Sequence, residues 1–169
     1  MAQRTRVLIA VLALVILIGA IVGVEALRRS SSGQAEGASG EPTLAPGSIP
    51  IYVDGRLEGS FSPTDLEALE QVSFVDAEEG KTQEGWLLRD VLLLHVDQDQ
   101  MQPEDTVVVT SGSRGKSAEL TWAEVDDAAN WVMFDLSGRS TLKLVSVLER
   151  LDVRDEWIQD VDRIEITSE

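Results

Sequence analysis

Residues 7–24, VLIAVLALVILIGAIVGV, run for eighteen positions without a charge or a polar side chain. At about 1.5 Å per residue such a helix reaches roughly 27 Å, close to the hydrocarbon thickness of a bilayer. The run therefore predicts a membrane span or the apolar core of a signal peptide. Val24-Glu25-Ala26 places small residues where a signal peptidase could cut. Signal cores extend for only about 7 to 15 residues, however, so an uncleaved anchor over residues 1–29 is the expectation. Arg4, Arg6 and the amino terminus flank one end, Arg28 and Arg29 the other. That balance leans slightly toward an internal amino terminus. The expected product is a single-pass protein of the cell membrane whose domain lies on the extracytoplasmic side.

Charge sets the next limit. Residues 30–169 hold 10 basic and 29 acidic residues, a net charge of −19. A domain this acidic is repelled by nucleic acid and by anionic headgroups, which excludes direct DNA or RNA binding as a function. Cysteine is absent, so disulfides, thiolate metal sites and cysteine nucleophiles are absent too.

Residues 30–48, SSSGQAEGASGEPTLAPGS, lack an apolar period and read as a flexible tether with a root-mean-square reach of about 25 Å. A single domain is expected over residues 49–169. IPIYVDGRLEGSF alternates around Asp54-Gly55, a strong two-residue hairpin signal. In SPTDLEALEQV, Ser62 suits an N-cap, Pro63 the first helical position and Asp65 the acid of a capping box, with Leu66, Leu69 and Val72 at helical spacing. A second hairpin is expected with Glu79-Gly80 at its turn. GWLLRDVLLLHV, residues 85–96, puts Leu87, Leu88, Val91, Leu92 and His95 on one helical face and predicts the main buried helix. DQDQMQPED reads as a polar loop. Val107–Val109 predict a strand folding back through Lys116–Leu120, and Thr121-Trp-Ala-Glu124 is a capping box opening a short helix. WVMFD and TLKLVSV, around Ser137-Gly-Arg139, make a further strand pair. DEWIQ predicts a helical turn, and VDRIEI a strand with Val161, Ile164 and Ile166 inward. Strands and short helices are interspersed without regular alternation, so the fold class is α+β, a mixed or antiparallel sheet with a few short helices.

Few side chains suggest chemistry. Gly112-Ser-Arg-Gly115-Lys116-Ser117 resembles a phosphate loop, but Thr110 stands where the first glycine belongs and no helix follows Lys-Ser. It predicts a hairpin turn. His95, the single histidine, shares an apolar face and is expected to pack. Asp97 and Asp99 do not make a calcium loop, since Gln102 takes the position that requires glycine. The clusters Asp76-Glu78-Glu79, Asp126-Asp127 and Asp152-Asp155-Glu156 read as solvated loops. Trp86, Trp122, Trp131 and Trp157 are expected at helix starts or in strands, most of them in the core.

Taken in order, YVDGRLEGSFSPTDLEAL, EGWLLRDVL, VVVTSGSRGKSAELTWAEV and VSVLERLDVRDEWIQDVDRIEI resemble successive segments of the oxidoreductase molybdopterin-binding domain, the fold of sulfite oxidase-like enzymes. The resemblance spans about residues 50–167. It implies that fold, and in catalytic members a molybdenum atom held by a cysteine thiolate, with cations and histidines around the pterin phosphate. This chain departs from that pattern. It has no cysteine, Trp157-Ile158-Gln159 stands where relatives carry Trp-Val-Lys, and Arg114-Gly115-Lys116 replaces an Asp-Gly-Tyr turn. The Gly-Pro of the segment Ser140–Val145 is also missing. A non-catalytic binding module or accessory subunit is therefore expected, without a cofactor and with a partner protein or small anionic ligand. Arg114, Lys116, Lys143, Arg154 and Trp157 are the candidate ligand-binding residues. The alternatives are a molybdopterin enzyme with a non-cysteine ligand, whose cationic pocket would join Arg114, Lys116, Lys143 and Arg154, and a small-molecule or ion sensor using exposed tryptophans.

Overall fold

The computed structural model describes residues 44–136 and 140–169. The anchor expected over 7–24, most of the tether expected over 30–48 and the Ser137–Arg139 turn lie outside the described residues. Among those described, no helix is long and apolar enough to cross a membrane.

Among the described residues, ten strands and two short α-helices follow one another as β1 (Ile49–Val53), β2 (Arg56–Phe61), β3 (Val72–Val75), β4 (Thr82–Leu87), α1 (Leu88–Leu92), β5 (Thr106–Ser111), β6 (Lys116–Thr121), α2 (Trp122–Asp126), β7 (Met133–Leu136), β8 (Leu142–Val145), β9 (Ile158–Gln159) and β10 (Arg163–Thr167). The architecture is α+β and mostly sheet. One five-stranded sheet has the order β2-β1-β10-β5-β6, and a second has the order β3-β4-β7-β8-β9. The pairing of β1 with β10 is parallel, and every other pairing is antiparallel.

Period-two alternation decides what each sheet buries. In the first sheet Ile51, Ile164, Val109 and Ala118 align in one row, and Ile166, Val107 and Leu120 in the next. In the second, Trp86 pairs with Phe134, Phe134 with Leu144, and Leu144 with Ile158. These rows meet in one apolar core that also takes Leu88, Val91 and Leu92 of α1 and Trp122 of α2. The rings of Phe61 and Phe134 join the two sheets with centroids 5.9 Å apart.

The local signals act where the sequence places them. Asp54 and Gly55 both have positive φ at the β1–β2 turn. Thr121 and Glu124 close a complete capping box on α2. The Gly112–Gly115 turn links β5 to β6 as a plain hairpin, and its Gly112 amide is taken by the Asp162 carboxylate at 2.8 Å. His95 is half-buried and packs on β2, so closely that a Cβ on Gly59 would lie 2.6 Å from its Nδ1.

Five expectations need correction. The helix predicted from Ser62 is one 3₁₀ turn over Asp65–Ala68, and Val72 belongs to β3 rather than to a helical stripe. Asp65 Oδ2 does accept from the Ser62 amide at 2.7 Å and its hydroxyl at 2.9 Å. Only Leu66 is fully buried there, however, and one contact does not offset the cost of nucleating a longer helix. The helix predicted over 85–96 is confined to α1, because Gly85–Leu87 pair with β7 as the end of β4. An uninterrupted apolar run suits a buried strand as well as a buried helix. DEWIQ is a turn leading into β9 rather than a helical turn, and Trp131 sits in a loop at φ 47°, in neither a strand nor a helix start. The loop expected to be polar between α1 and β5 also buries Met101 and Asp105.

Candidate functional site

The outer face of the second sheet gathers polar side chains. Gly85 pairs with Asp135, Asp135 with Lys143, and Lys143 with Gln159, so these four stand in one row across β4, β7, β8 and β9. Beside them Met133, Val145 and Trp157 form a second apolar cluster with Val72, Phe74 and Leu87. Within the row, Lys143 is held between Asp135 and this cluster. Its Nζ lies 3.0 Å from Asp135 Oδ2, donates to Gln83 Oε1 at 2.9 Å, and stands 4.7 Å from the centroid of the Trp157 ring. The side chains of Lys143 and Asp135 are only 18% and 14% exposed. The Trp157 indole Nε1 is buried and meets no acceptor among the described residues.

Gln83 extends the chain of contacts, donating from Nε2 to Asp76 Oδ2 at 2.9 Å. Asp76 was expected among solvated loop acids, yet it is buried. Its carboxylate accepts from the Glu79 amide at 2.7 Å and the Lys81 amide at 3.1 Å, closing the β3–β4 turn. The Glu79 amide above all, with help from Gln83, holds this carboxyl below the ordinary aspartate value. The folded chain then binds fewer protons at Asp76 than the unfolded one, so its contribution is complete above about pH 4 and fades as pH falls further. Asp76→Asn turns an amide NH₂ toward donors, much as protonation of the native residue turns a hydroxyl toward them. The variant is expected to melt about 3–6 °C below the native protein at pH 7. That gap should narrow in melts recorded near pH 3, and a gap independent of pH would refute the role of the charge.

Two cavities open beside Trp157. The larger, of about 450 Å³, is lined by Glu79, Lys81, Gln83, Asp135, Lys143 and Arg154 together with Trp157 and Gln159. The smaller, of about 160 Å³, is lined by Arg114, Lys116, Trp157 and Gln159. Fourteen lysines and arginines occur in the sequence, and five of them lie outside the described residues, leaving nine. Five of those nine line these two cavities.

Each cation has a different degree of freedom. Arg114 donates through Nε and Nη2 to Asp160 Oδ2, both at 2.7 Å. Lys116 Nζ donates to the carbonyl of Asp155. Lys81 Nζ meets Glu79 Oε2 at 2.6 Å. Arg154 uses its backbone amide on Glu78 Oε2 at 2.9 Å, but its guanidinium comes no nearer to Glu79 than 3.8 Å and is 60% exposed. Glu79 itself is held below the ordinary glutamate value, first by its hydrogen bond from Lys81 and also by the charges of Lys81 and Arg154.

The four cations that the molybdopterin-enzyme alternative would join in a single pocket thus line two cavities, Lys143 and Arg154 in one and Arg114 and Lys116 in the other, with Trp157 in the wall of both. Sequence reasoning passed over Lys81, Glu79, Gln83 and Asp135. Asp135 carried a readable signal, since it stands opposite Lys143 across the β7–β8 hairpin and opposite charges pair across strands. Among the described residues, no three histidine, aspartate or glutamate side chains are grouped so as to hold a metal ion. No protein-family model matches the chain, and no curated protein is significantly similar to it in sequence.

Proposed function

We propose that the chain is a membrane-anchored binding module on the fold of the oxidoreductase molybdopterin-binding domain. It is held on the extracytoplasmic side by residues 7–24, is non-catalytic, and grips a small anionic group or an acidic partner beside Trp157. One observation carries this reading: among the described residues, five of nine cations collect around a single segment, although residues 30–169 carry a net charge of −19. Random placement of so few cations among so many acids would not concentrate positive potential in this way, and an anion would be drawn there.

The same residues do not fit molybdopterin. The chain offers no thiolate for molybdenum. Neither cavity is lined by a histidine, which the resemblance implies beside the cations around the pterin phosphate. A module that binds rather than transforms is the reading this donor set supports.

The test is calorimetric titration of the full chain, solubilised in a neutral detergent, with inorganic phosphate and with citrate. Binding in the millimolar range is expected for either probe, with Arg154→Gln weakening it about tenfold. Native protein that binds neither anion, or that is purified with stoichiometric molybdenum, would overturn the proposal.

A further inference from the structure

Glu79 occupies the place an anionic ligand would take. Its carboxylate enters the larger cavity on the β3–β4 turn, 2.6 Å from Lys81 Nζ and 3.8 Å from Arg154 Nη1. The turn is fixed by groups other than the Glu79 side chain, namely the Asp76 carboxylate with the Glu79 and Lys81 amides. The Glu79 carboxylate can therefore leave without unmaking the turn that carries it.

We infer that Glu79 is a built-in competitor, and that the ligand of this cavity is a small polyvalent oxyanion that displaces it from Lys81 and Arg154. The inference rests on the anion-binding reading above and specifies which ion pair opens. The Lys81–Glu79 pair is exposed, at 63% and 38%, whereas the Lys143–Asp135 pair is nearly closed off from water at 18% and 14%. Exposed pairs contribute little and exchange readily; shielded ones hold. Lys143 therefore stays with Asp135 and supplies fixed positive charge, while Lys81 and the guanidinium of Arg154 change partners. Among the described residues the guanidinium meets no hydrogen-bond acceptor, and it presents a planar fork suited to phosphate or carboxylate oxygens.

Displacement also sets the valence. Glu79 is tethered beside its partners at an effective concentration of millimolar order, so a free monoanion would only exchange one carboxylate for another. A dianionic phosphate or a polycarboxylate engages both cations at once and gains what acetate cannot.

The experiment compares the native full chain with Glu79→Gln, Arg154→Gln, their double variant and Glu67→Gln, titrating each with inorganic phosphate, citrate and acetate. Glu67 is an exposed acid that lines neither cavity and provides the same change of charge elsewhere. Glu79→Gln is expected to tighten phosphate and citrate about fivefold. Glu67→Gln should leave both unchanged, and the gain should vanish when Arg154→Gln is added. Acetate should bind none of them measurably. Phosphate binding that depends on Arg154 but is indifferent to Glu79→Gln would overturn the competitor while leaving the anion-binding module intact. An equal gain from Glu67→Gln would also overturn it, as would acetate binding on a par with phosphate. Failure of every variant, Glu79→Gln included, to bind phosphate or citrate would overturn the functional reading and this inference together.

Discussion

Gly85→Ala is expected to leave little folded protein. A Cβ at this position would lie 1.8 Å from the carbonyl oxygen of Phe134, 2.7 Å from its carbonyl carbon and 3.0 Å from Asp135 Cα. All three are backbone atoms, so no side chain can rotate away, and β7 itself must retreat by more than 1 Å. Retreat breaks the register in which Gly85 faces Asp135 and Trp86 faces Phe134. Both of those aromatic residues belong to the main core. The cost should exceed about 4 kcal/mol, a large part of the 5–15 kcal/mol that holds a domain together. Gly55 makes a useful contrast. It has φ +75° but nothing within 4 Å of an added Cβ, so alanine there meets only the left-handed backbone penalty of about 1–2 kcal/mol. Crowding and not dihedral angle makes Gly85 the critical glycine. Thermal unfolding of the full chain followed by near-ultraviolet circular dichroism would decide the matter. A Gly85→Ala variant melting within about 5 °C of the native protein would show that β4 and β7 do not approach so closely.

The same crowding ties the core to the cavity. Gly85 stands in the row that continues through Asp135, Lys143 and Gln159. β7 lies between β4 and β8, so its retreat from β4 presses on β8 and disturbs the 3.0 Å contact of Asp135 with Lys143. Glycine is thus required at the point in the row where a side chain would displace β7 and with it the cavity floor.

Much of this fold can be read from sequence because its signals are short-range. Asp54-Gly55, Gly80 and the Gly112–Gly115 turn each specify a hairpin within a few residues, and Thr121 and Glu124 complete their capping box across one helical turn. The alternation of Val161, Ile164 and Ile166 suffices to place them inward. Where local chemistry is ambiguous, tertiary pairing decides. The run from Gly85 to Val96 could be strand or helix, and only β7 lying alongside makes its first three residues a strand. The cavity is less legible still. Lys81, Lys143 and Arg154 come from β3–β4, β8 and the turn before β9, and nothing short of the strand order brings them together. Arg114, Lys116, Lys143 and Arg154 could be singled out because cations are scarce in so acidic a chain, and Trp157 because it stands in the segment that resembles the family's closing Trp-Val-Lys. Their division between two cavities could not be foreseen, nor could the burial of Asp76 within a run of acids that reads as solvated.

Lys143→Met should destabilise the protein by about 2–3 kcal/mol, although Lys143 is one of the residues that scarcity of cations marks for ligand binding. The loss follows from what the ammonium leaves behind. Asp135 would keep a carboxylate that is 14% exposed with no cation beside it, and Gln83 Oε1 would lose its donor at 2.9 Å. Breaking a fully buried ion pair costs about 3–5 kcal/mol, and the water that still reaches this one lowers the figure. Arg154 differs at every point. Its guanidinium is 60% exposed and its nearest carboxylate oxygen is 3.8 Å away, so Arg154→Gln should change stability by no more than about 0.5 kcal/mol. Removing both members of the buried pair, as Lys143→Met with Asp135→Leu, eliminates the stranded charge and should recover at least half of the loss. Urea unfolding of the full chain, monitored by tryptophan fluorescence, would measure all of these. Strict additivity of the two single substitutions would mean that Lys143 and Asp135 do not interact. Coupling of the predicted sign would assign Lys143 to holding β7, β8 and Trp157 in register, with fixed positive charge as its share in binding, and leave exchange of partners to Lys81 and Arg154.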